Sequence, residues 1–220
     1  WKSGVPSGIV GLSAYHTIYA DAVAWLNAQT IDYLAPQLYW AFGGGQDYEA
    51  LASWWAVRAS ANDRHLYPGL AAYKAPSAAK KGPLPFNVKR AAITNGRDYD
   101  SRTVPRQVRL NRRRDDIQGS LFFRTAHLTG SVADSLKHLN RDPALTPTFP
   151  WQDTSSPSTP ETLSYEWTGA EKEQVRLQWD WSANGSAPAR RYAIYRARSS
   201  TVPDFSGGED AHLLAVTGET

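Results

Sequence analysis

The chain has 220 residues, 41% of them hydrophobic, and a formal net charge of +3. This length suits one large domain or two smaller ones. The absence of cysteine excludes disulfides, thiol nucleophiles and cysteine-bound metal sites within these residues, and no apolar run has the length that a membrane span needs.

The first part of the chain alternates predicted helices with predicted strands. Apolar residues at helical spacing predict the helices, and the apolar runs between them predict the strands. The predicted helices are 19–27, 47–60, 104–114 and 131–140, and the predicted strands are 31–40, 65–74 and 117–125. Asp47 and Ser131 are expected to cap two of the helices. Such alternation indicates an α/β fold with parallel strands joined by right-handed crossovers.

The first predicted strand, "IDYLAPQLYW", ends in large polar and aromatic side chains. The stretch "AFGGGQDYE" follows it, and its glycine run allows a loop that bulkier residues could not adopt. A strand that leads into a loop and then a helix forms part of the pocket in α/β enzymes. We therefore expect the end of this strand to border a binding site.

A second module with a different pattern begins after a linker. Residues 142–163 are rich in Pro, Ser and Thr, as an extended linker is. Beyond them the apolar period changes to two, over 175–181 and 190–197, with turns expected at 184–186 and 203–210. This pattern predicts a small antiparallel β module of about four strands, fewer than the roughly seven of a β-sandwich.

Charge and composition also separate the two modules. Residues 1–150 carry 18 Lys and Arg against 11 Asp and Glu, a net +7, whereas residues 151–220 carry 6 against 10, a net −4.

The chain begins at Trp1 and contains no methionine, which predicts a piece of a longer protein. Three parallel strands cannot close a barrel, so we expect the remaining strands before Trp1 and an isolated piece that does not fold stably.

Several motifs resemble one family. The segments "YADAVAWLNAQTIDYLAPQLYW", "WW", "HLYPGLAAYK", "QGSLFFR" and "PALTPTFPW", in this order, are similar to the bacterial glycosyl-hydrolase-like family 10. This resemblance implies the C-terminal half of a TIM (β/α)8 barrel over 1–153, with 31–39, 66–72 and 117–123 as its last three strands. The segment "RRYAIYRA" resembles the start of a fibronectin type III-like domain, which implies a linker at 154–162 and a truncated β-sandwich at 163–220.

The resemblance also implies a function and a location. Members of this family are related to enzymes that act on cell-envelope glycans, and some hydrolyse peptidoglycan strands stripped of their peptides. The implied protein is a glycoside hydrolase acting on an envelope polysaccharide, and it is exported to the periplasm, the outer membrane or the cell exterior, with a possible lipid anchor upstream. No cofactor, metal or nucleic-acid partner is implied.

Candidate substrate-binding residues lie at the predicted strand ends, where TIM barrels build their active sites. They are Gln37, Tyr39, Trp40, Tyr73, Lys74 and Arg124. The aromatic rings could stack on sugar faces or cap the core. The lysine could bind hydroxyls or carboxylates, and the arginine could bind an acidic group. The helical spacing of Trp54 and Trp55 instead points them at the core.

Catalytic residues stay unassigned within this chain. Glycoside hydrolysis usually needs two carboxyl groups that flank the bond, and no predicted strand end carries one. Asp32 lies at a strand start, whereas Asp21 and Asp47 begin helices and suit capping or dipole roles. The resemblance places the catalytic acid on an upstream strand, the fourth.

Other function classes lack their sequence signatures. The run "RLNRRRDD" over 109–116 is interpreted as a solvated helix face, with Asp115 and Asp116 compensating its charge. The five histidines do not have metal-ligand spacing, "GGG" at 43–45 lacks the Lys-Ser/Thr of a phosphate loop, and no G-x-S-x-G motif is present. Three hypotheses remain: a hydrolase, a non-catalytic glycan-binding or scaffolding envelope protein, and an adhesion fragment that works through its β module.

Overall fold

The computed structural model describes residues 4–75, 99–152, 160, 162–171, 174–180, 191–197 and 211–218. The chain divides into two compact units, Trp1–Arg141 and Asp142–Thr220. The predicted turns at 184–186 and 203–210 lie outside the described residues, as does most of the predicted linker at 154–162.

Short parallel strands form the centre of the first unit. They are β1 (Tyr33–Leu34), β2 (His65–Leu66), β3 (Gly69–Leu70) and β4 (Leu121–Phe122). β1 pairs with β2 and β3 pairs with β4, in both cases in parallel, and a parallel bridge between Gln37 and Gly69 joins the two pairs. Three adjacent chain segments, 33–37, 65–70 and 121–122, therefore lie side by side in that order.

Helices separate these segments along the chain. They are α1 (Ala14–Ile18), α2 (Ala22–Asn27), α3 (Tyr48–Ser60), α4 (Thr103–Arg112) and α5 (Gly130–Leu139). Parallel strands alternating with helices confirm the predicted α/β class. In the described part of the chain, no helix combines the length and apolar character needed to cross a membrane.

The glycine-rich loop before α3 takes the conformation that its sequence predicts. Gly43 and Gly44 have φ values of 81° and 77°, which side chains disfavour. Asp47 is the predicted N-cap, and its Oδ1 accepts a hydrogen bond from Ala50 N at 2.8 Å. Its Oδ2 accepts one from Gly43 N, so this carboxylate fixes both the helix start and the loop that precedes it.

Three predicted boundaries are wrong. The helix predicted from residue 19 begins at Ala22, because Tyr19 is the C-cap of α1 in the left-handed region and is 89% exposed. The N-cap of α5 is Thr129, whereas Ser131 is buried inside the helix. The strand predicted to run to residue 74 gives way to a 3-10 turn over Ala72–Lys74.

The core of the first unit includes a buried polar network. Tyr48 on α3 donates a hydrogen bond from its hydroxyl to Asn111 Oδ1 on α4 at 2.9 Å, and Asn111 Nδ2 donates to Ser120 Oγ at 2.8 Å. These hydrogen bonds lie among the apolar side chains of α3, α4 and the strands. The network ties two helices to the segment that enters β4.

A buried arginine fixes the end of the sheet opposite the strand C-termini. Arg64 is 8% exposed, and its Nε donates to Ile31 O at 2.8 Å. Its terminal nitrogens donate to three further carbonyls, those of Gln29, Asn62 and Asp63. The guanidinium thereby joins the turn before β2 to the turn before β1.

The second unit contains antiparallel ribbons. Its strands are β5 (Thr162–Thr168), β6 (Gln174–Asp180), β7 (Arg191–Ala197) and β8 (Ala211–Gly218). β5 pairs with β6 and β7 with β8, and the Trp179 and Tyr192 rings lie 5.1 Å apart between the two ribbons. These pairings confirm that the strands of the second module are antiparallel.

Candidate functional site

Side chains on the segment after β1 alternate between two surfaces of the sheet. Ala35, Gln37 and Tyr39 face an open recess of about 460 Å³, which β4 and Gly69 also line. Leu34, Pro36, Leu38 and Trp40 line a cleft of about 300 Å³ formed with α1, α2 and α3, and Gln37 borders this cleft as well as the recess. Because successive side chains of an extended segment point to opposite faces, this alternation decides which predicted residues can act together.

Four rings from three segments meet at the strand ends above the recess. The Tyr39 ring lies 5.9 Å from that of Tyr73 and 6.1 Å from that of Phe123, and Tyr73 and Phe123 are 6.2 Å apart. The His127 ring lies 6.3 Å from Tyr73. We call Tyr39, Tyr73, Phe123 and His127 the aromatic cluster. Tyr73 and Phe123 are 45% and 56% exposed, so the cluster leaves apolar ring surface open to solvent.

Lys74 connects the aromatic cluster to the backbone of the neighbouring segment. Its Nζ donates a hydrogen bond to Tyr39 O at 2.8 Å. The same nitrogen lies 6.0 Å from the Tyr73 ring centre and 5.7 Å from that of Tyr99, at the outer range of cation–π attraction. One of its three donors is thus used to hold Tyr39, and the exposed ammonium can still meet a ligand.

The next carbonyl oxygen along the chain, that of Trp40, accepts hydrogen bonds from two residues, one on α4 and one just before it. Gln107 Nε2 donates to Trp40 O at 2.8 Å, and the Tyr99 hydroxyl donates to the same oxygen at 3.4 Å. Gln107 is completely buried, and its Oε1 has no hydrogen-bond partner among the described residues. Together with Lys74, these donors fix two consecutive carbonyls at the edge of the site.

Burial raises the pKa of two phenols near the site, those of Tyr39 and Tyr99. It raises the pKa of Tyr39, and the nearby Tyr73 raises it further. Burial likewise raises the pKa of Tyr99, against a smaller lowering by Gln107. Both hydroxyls therefore remain protonated and able to donate hydrogen bonds well above neutral pH.

The structure brings together some of the predicted site residues and separates another. Gln37, Tyr39, Tyr73 and Lys74 share the recess or its rim, and Arg124 is exposed directly after Phe123. Trp40 instead lines the opposite cleft, where it packs against the core. These contacts favour the core-capping interpretation of Trp40, with only its carbonyl facing the site.

Trp54 and Trp55 lie where their helical spacing predicts. Trp54 is buried and Trp55 is half-buried against the core, and their rings are 4.5 Å apart. The Arg58 guanidinium stacks 3.7 Å from the Trp54 ring centre. Neither indole belongs to the strand-end site.

Four residues of the site were not singled out from the sequence. Phe123 and His127 follow the same strand end as Arg124, so the strand-end rule could have found them. Tyr99 and Gln107 join the site through the packing of α4, and no local motif marks them. Long-range contacts of this kind leave no periodic signal in the sequence.

The described carboxylates near the site serve the fold. Both oxygens of Asp47 accept backbone hydrogen bonds, and Asp21 accepts one from Ala24 N at 3.0 Å as the cap of α2. Across the described residues, no cluster of three or more His, Cys, Asp or Glu side chains could hold a metal ion. The described residues of the candidate site offer hydrogen-bonding groups and aromatic faces.

Residues 3–85 match the family described as glycosyl hydrolase-like 10. The chain is 32% identical over 218 residues to the glycosyl hydrolase YngK of Bacillus subtilis (strain 168), across 96% of this chain and 38% of that protein. It is 33% identical over 119 residues to the glycosyl hydrolase DigH of Escherichia coli (strain K12), across 54% of this chain and 25% of that protein. DigH of Shigella flexneri gives the same figures.

These matches support the family resemblance and a glycosidase-like function. The family match contains every predicted site residue except Arg124. The chain spans 38% of the length of YngK and 25% of that of DigH, so the matched proteins extend well beyond the aligned part.

Proposed function

We propose that this chain is the C-terminal part of a TIM-barrel glycoside hydrolase and supplies one wall of its glycan-binding groove. The observation that carries the proposal is the aromatic cluster with Lys74, assembled at the carboxyl ends of three parallel segments. Such ends form the active-site face of barrel enzymes. The similarity to proteins named glycosyl hydrolase supports carbohydrate as the substrate class.

The chemistry of the wall suits sugar rings. Exposed faces of Tyr73 and Phe123 offer apolar area against the C–H faces of a pyranose, and the neutral Tyr39 hydroxyl can donate a hydrogen bond to a sugar oxygen. The exposed Gln37 amide can both donate and accept. Glycoside cleavage itself would depend on a carboxyl pair from the upstream part of the barrel.

Within this proposal, the substrate is an envelope polysaccharide, with peptidoglycan glycan strands as the first choice. The exposed Arg124 beside Phe123 would bind an acidic substituent of such a glycan through paired N–H donors. Export to the cell envelope, with a lipid anchor upstream, and a fibronectin type III-like second unit belong to the same proposal.

Turnover by the whole protein tests the proposal. Purified whole protein is incubated with peptidoglycan glycan strands and with other polysaccharides over a range of pH, and new reducing ends are counted. We expect cleavage of at least one envelope glycan, with a loss of turnover when Tyr39 and Tyr73 are both replaced by Ala. Intact polysaccharide in every condition would contradict the hydrolase assignment.

A second candidate function is glycan binding without catalysis. The observation that favours it is that Asp47 and Asp21 accept backbone hydrogen bonds as helix caps. The described strand ends therefore have no carboxylate available for chemistry. Measurable affinity for a glycan that the whole protein never cuts would select this candidate.

A further inference from the structure

Arginines form a row along one side of α4. Arg102 caps the N-terminus of the helix, Arg106 and Arg109 lie within it, and Arg113 is its C-cap. Their spacing of four, three and four residues places them on one face, because an α-helix has about 3.6 residues per turn. At about 1.5 Å per residue the row is roughly 16 Å long. We call these four residues the arginine stripe.

The opposite face of α4 packs into the core. Its buried side chains include Val104, Gln107, Val108 and Asn111. The helix therefore cannot roll to hide its charges, since rotation would expose these side chains and break the Gln107 and Asn111 hydrogen bonds. The helix therefore keeps the four arginines on the face opposite the core.

The guanidinium groups of Arg109 and Arg113 are close enough to repel each other. Burial lowers the pKa of Arg109, and the neighbouring charge of Arg113 lowers it further. An added anion would relieve this repulsion.

The stripe begins beside the candidate site. The Arg106 guanidinium carbon lies 4.8 Å from the Phe42 ring centre, and the adjacent Gln107 holds Trp40 O. Phe42 leads into the glycine-containing loop that follows the site segment. Arg106 thus places one member of the stripe next to the loop that follows the site segment.

We propose that the arginine stripe is a secondary binding surface for an anionic polysaccharide, one that bears carboxylate or phosphate groups along its length. This inference rests on the proposed glycan function and extends it beyond the groove. Arginine suits the role because its planar fork pairs with either anion through two N–H donors. Several charges along one row would also steer a polyanion to the site.

The test compares two double variants of the whole protein that lose the same charge. Arg109→Gln/Arg113→Gln disrupts the stripe, whereas Arg191→Gln/Arg196→Gln removes two arginines from β7. Binding is measured by calorimetry with a carboxylated polysaccharide (polygalacturonate), a phosphate-bearing polymer (purified teichoic acid) and a neutral glucan. Arg102→Gln/Arg113→Gln repeats the test with the two cap arginines, in case the change at Arg109 impairs folding.

We expect both stripe variants to bind an anionic polymer roughly tenfold more weakly than the control pair at low salt, with the difference shrinking as salt screens the charges. If the stripe variants lose affinity for both anionic polymers, the surface recognises anionic charge alone. If they lose affinity for only one, the carboxylate or the phosphate of that polymer is the group recognised. Equal affinities of stripe and control variants would overturn the inference. So would duplex DNA binding more tightly than either polysaccharide.

The outcome is separable from that of the proposed function. Whole protein that cuts a neutral oligosaccharide while the stripe variants still bind polyanions normally would remove the stripe proposal alone. Stripe-dependent binding of an anionic polysaccharide without turnover of any glycan would keep the stripe and remove the hydrolase.

Discussion

At the scale of single residues, position on an extended segment determines which surface of the sheet a side chain faces. Tyr39 and Trp40 are adjacent in the chain, yet one ring faces the recess and the other packs against the core. The strand-end rule predicted both, because it locates an edge of the sheet and does not by itself separate its two faces. Period-two alternation separates them once the strand register is known.

Lys74 both holds the Tyr39 carbonyl and places a positive charge at the rim of the recess, and substituting it tests the two contributions together. Lys74→Met removes the donor to Tyr39 O and the charge at the rim while keeping a long side chain. We expect glycan affinity to fall roughly threefold to tenfold, since the ligand loses one hydrogen-bond donor that contributes about 1 kcal/mol, while the protein stays folded. Calorimetric titration of the whole protein measures this.

Lys137→Met is the matched control, an exposed lysine on α5 away from the strand ends. Glycan affinity of Lys74→Met indistinguishable from that of Lys137→Met would place Lys74 outside the binding surface.

At the scale of elements, local capping chemistry is what the sequence predicts best. The start of α3 is correct because Asp47 supplies the cap and Gly43 the turn. The predicted start of α2 is wrong because Tyr19 adopts a left-handed conformation that its residue type does not indicate. The paired strands are shorter than predicted, since pairing depends on a neighbouring segment far away in the chain.

The buried network between α3 and α4 predicts a stability change at neutral pH. Tyr48→Phe removes the hydroxyl that donates to Asn111 Oδ1 and leaves that oxygen buried without its donor. We expect the free energy of unfolding to fall by about 1–3 kcal/mol. Denaturant unfolding measures it, and Tyr19→Phe, at an 89% exposed tyrosine, should have no such effect.

The same substitution predicts a change in alkaline stability. Burial raises the pKa of Tyr48 above its ordinary value, so the folded chain holds this proton more tightly than the unfolded chain does. The resulting stabilisation is complete below about pH 10, the unfolded pKa, and is lost as pH rises above it. The unfolding free energy of Tyr48→Phe should therefore decline less steeply above pH 10; an unchanged decline would contradict this account.

At the scale of the whole molecule, the α/β class and the antiparallel second unit follow from periodicity alone. Alternating strand and helix patterns predict parallel pairing, and the change to period two predicts the ribbons of β5–β8. The TIM barrel itself belongs to the proposed function. Tyr99 and Gln107 show the limit of periodicity within the chain, because tertiary packing recruits them.

The division into two units predicts which part binds the glycan. Removing residues 142–220 from the whole protein leaves the aromatic cluster and α4 intact, because they lie in Trp1–Arg141. We expect glycan affinity and turnover within about twofold of the undivided protein, since no candidate residue is lost. A collapse of affinity, with the remaining protein still folded, would instead support adhesion through the β module.

The central claim is that the strand-end aromatic cluster is the glycan-binding wall, and one comparison tests it most directly. Affinity of the whole protein for an envelope oligosaccharide is measured for Tyr73→Ala and for Tyr165→Ala, which removes an exposed tyrosine from β5. The account predicts roughly tenfold weaker binding for Tyr73→Ala, about 1.4 kcal/mol from lost ring contact, and no change for Tyr165→Ala. Equal affinity of the two variants would contradict it.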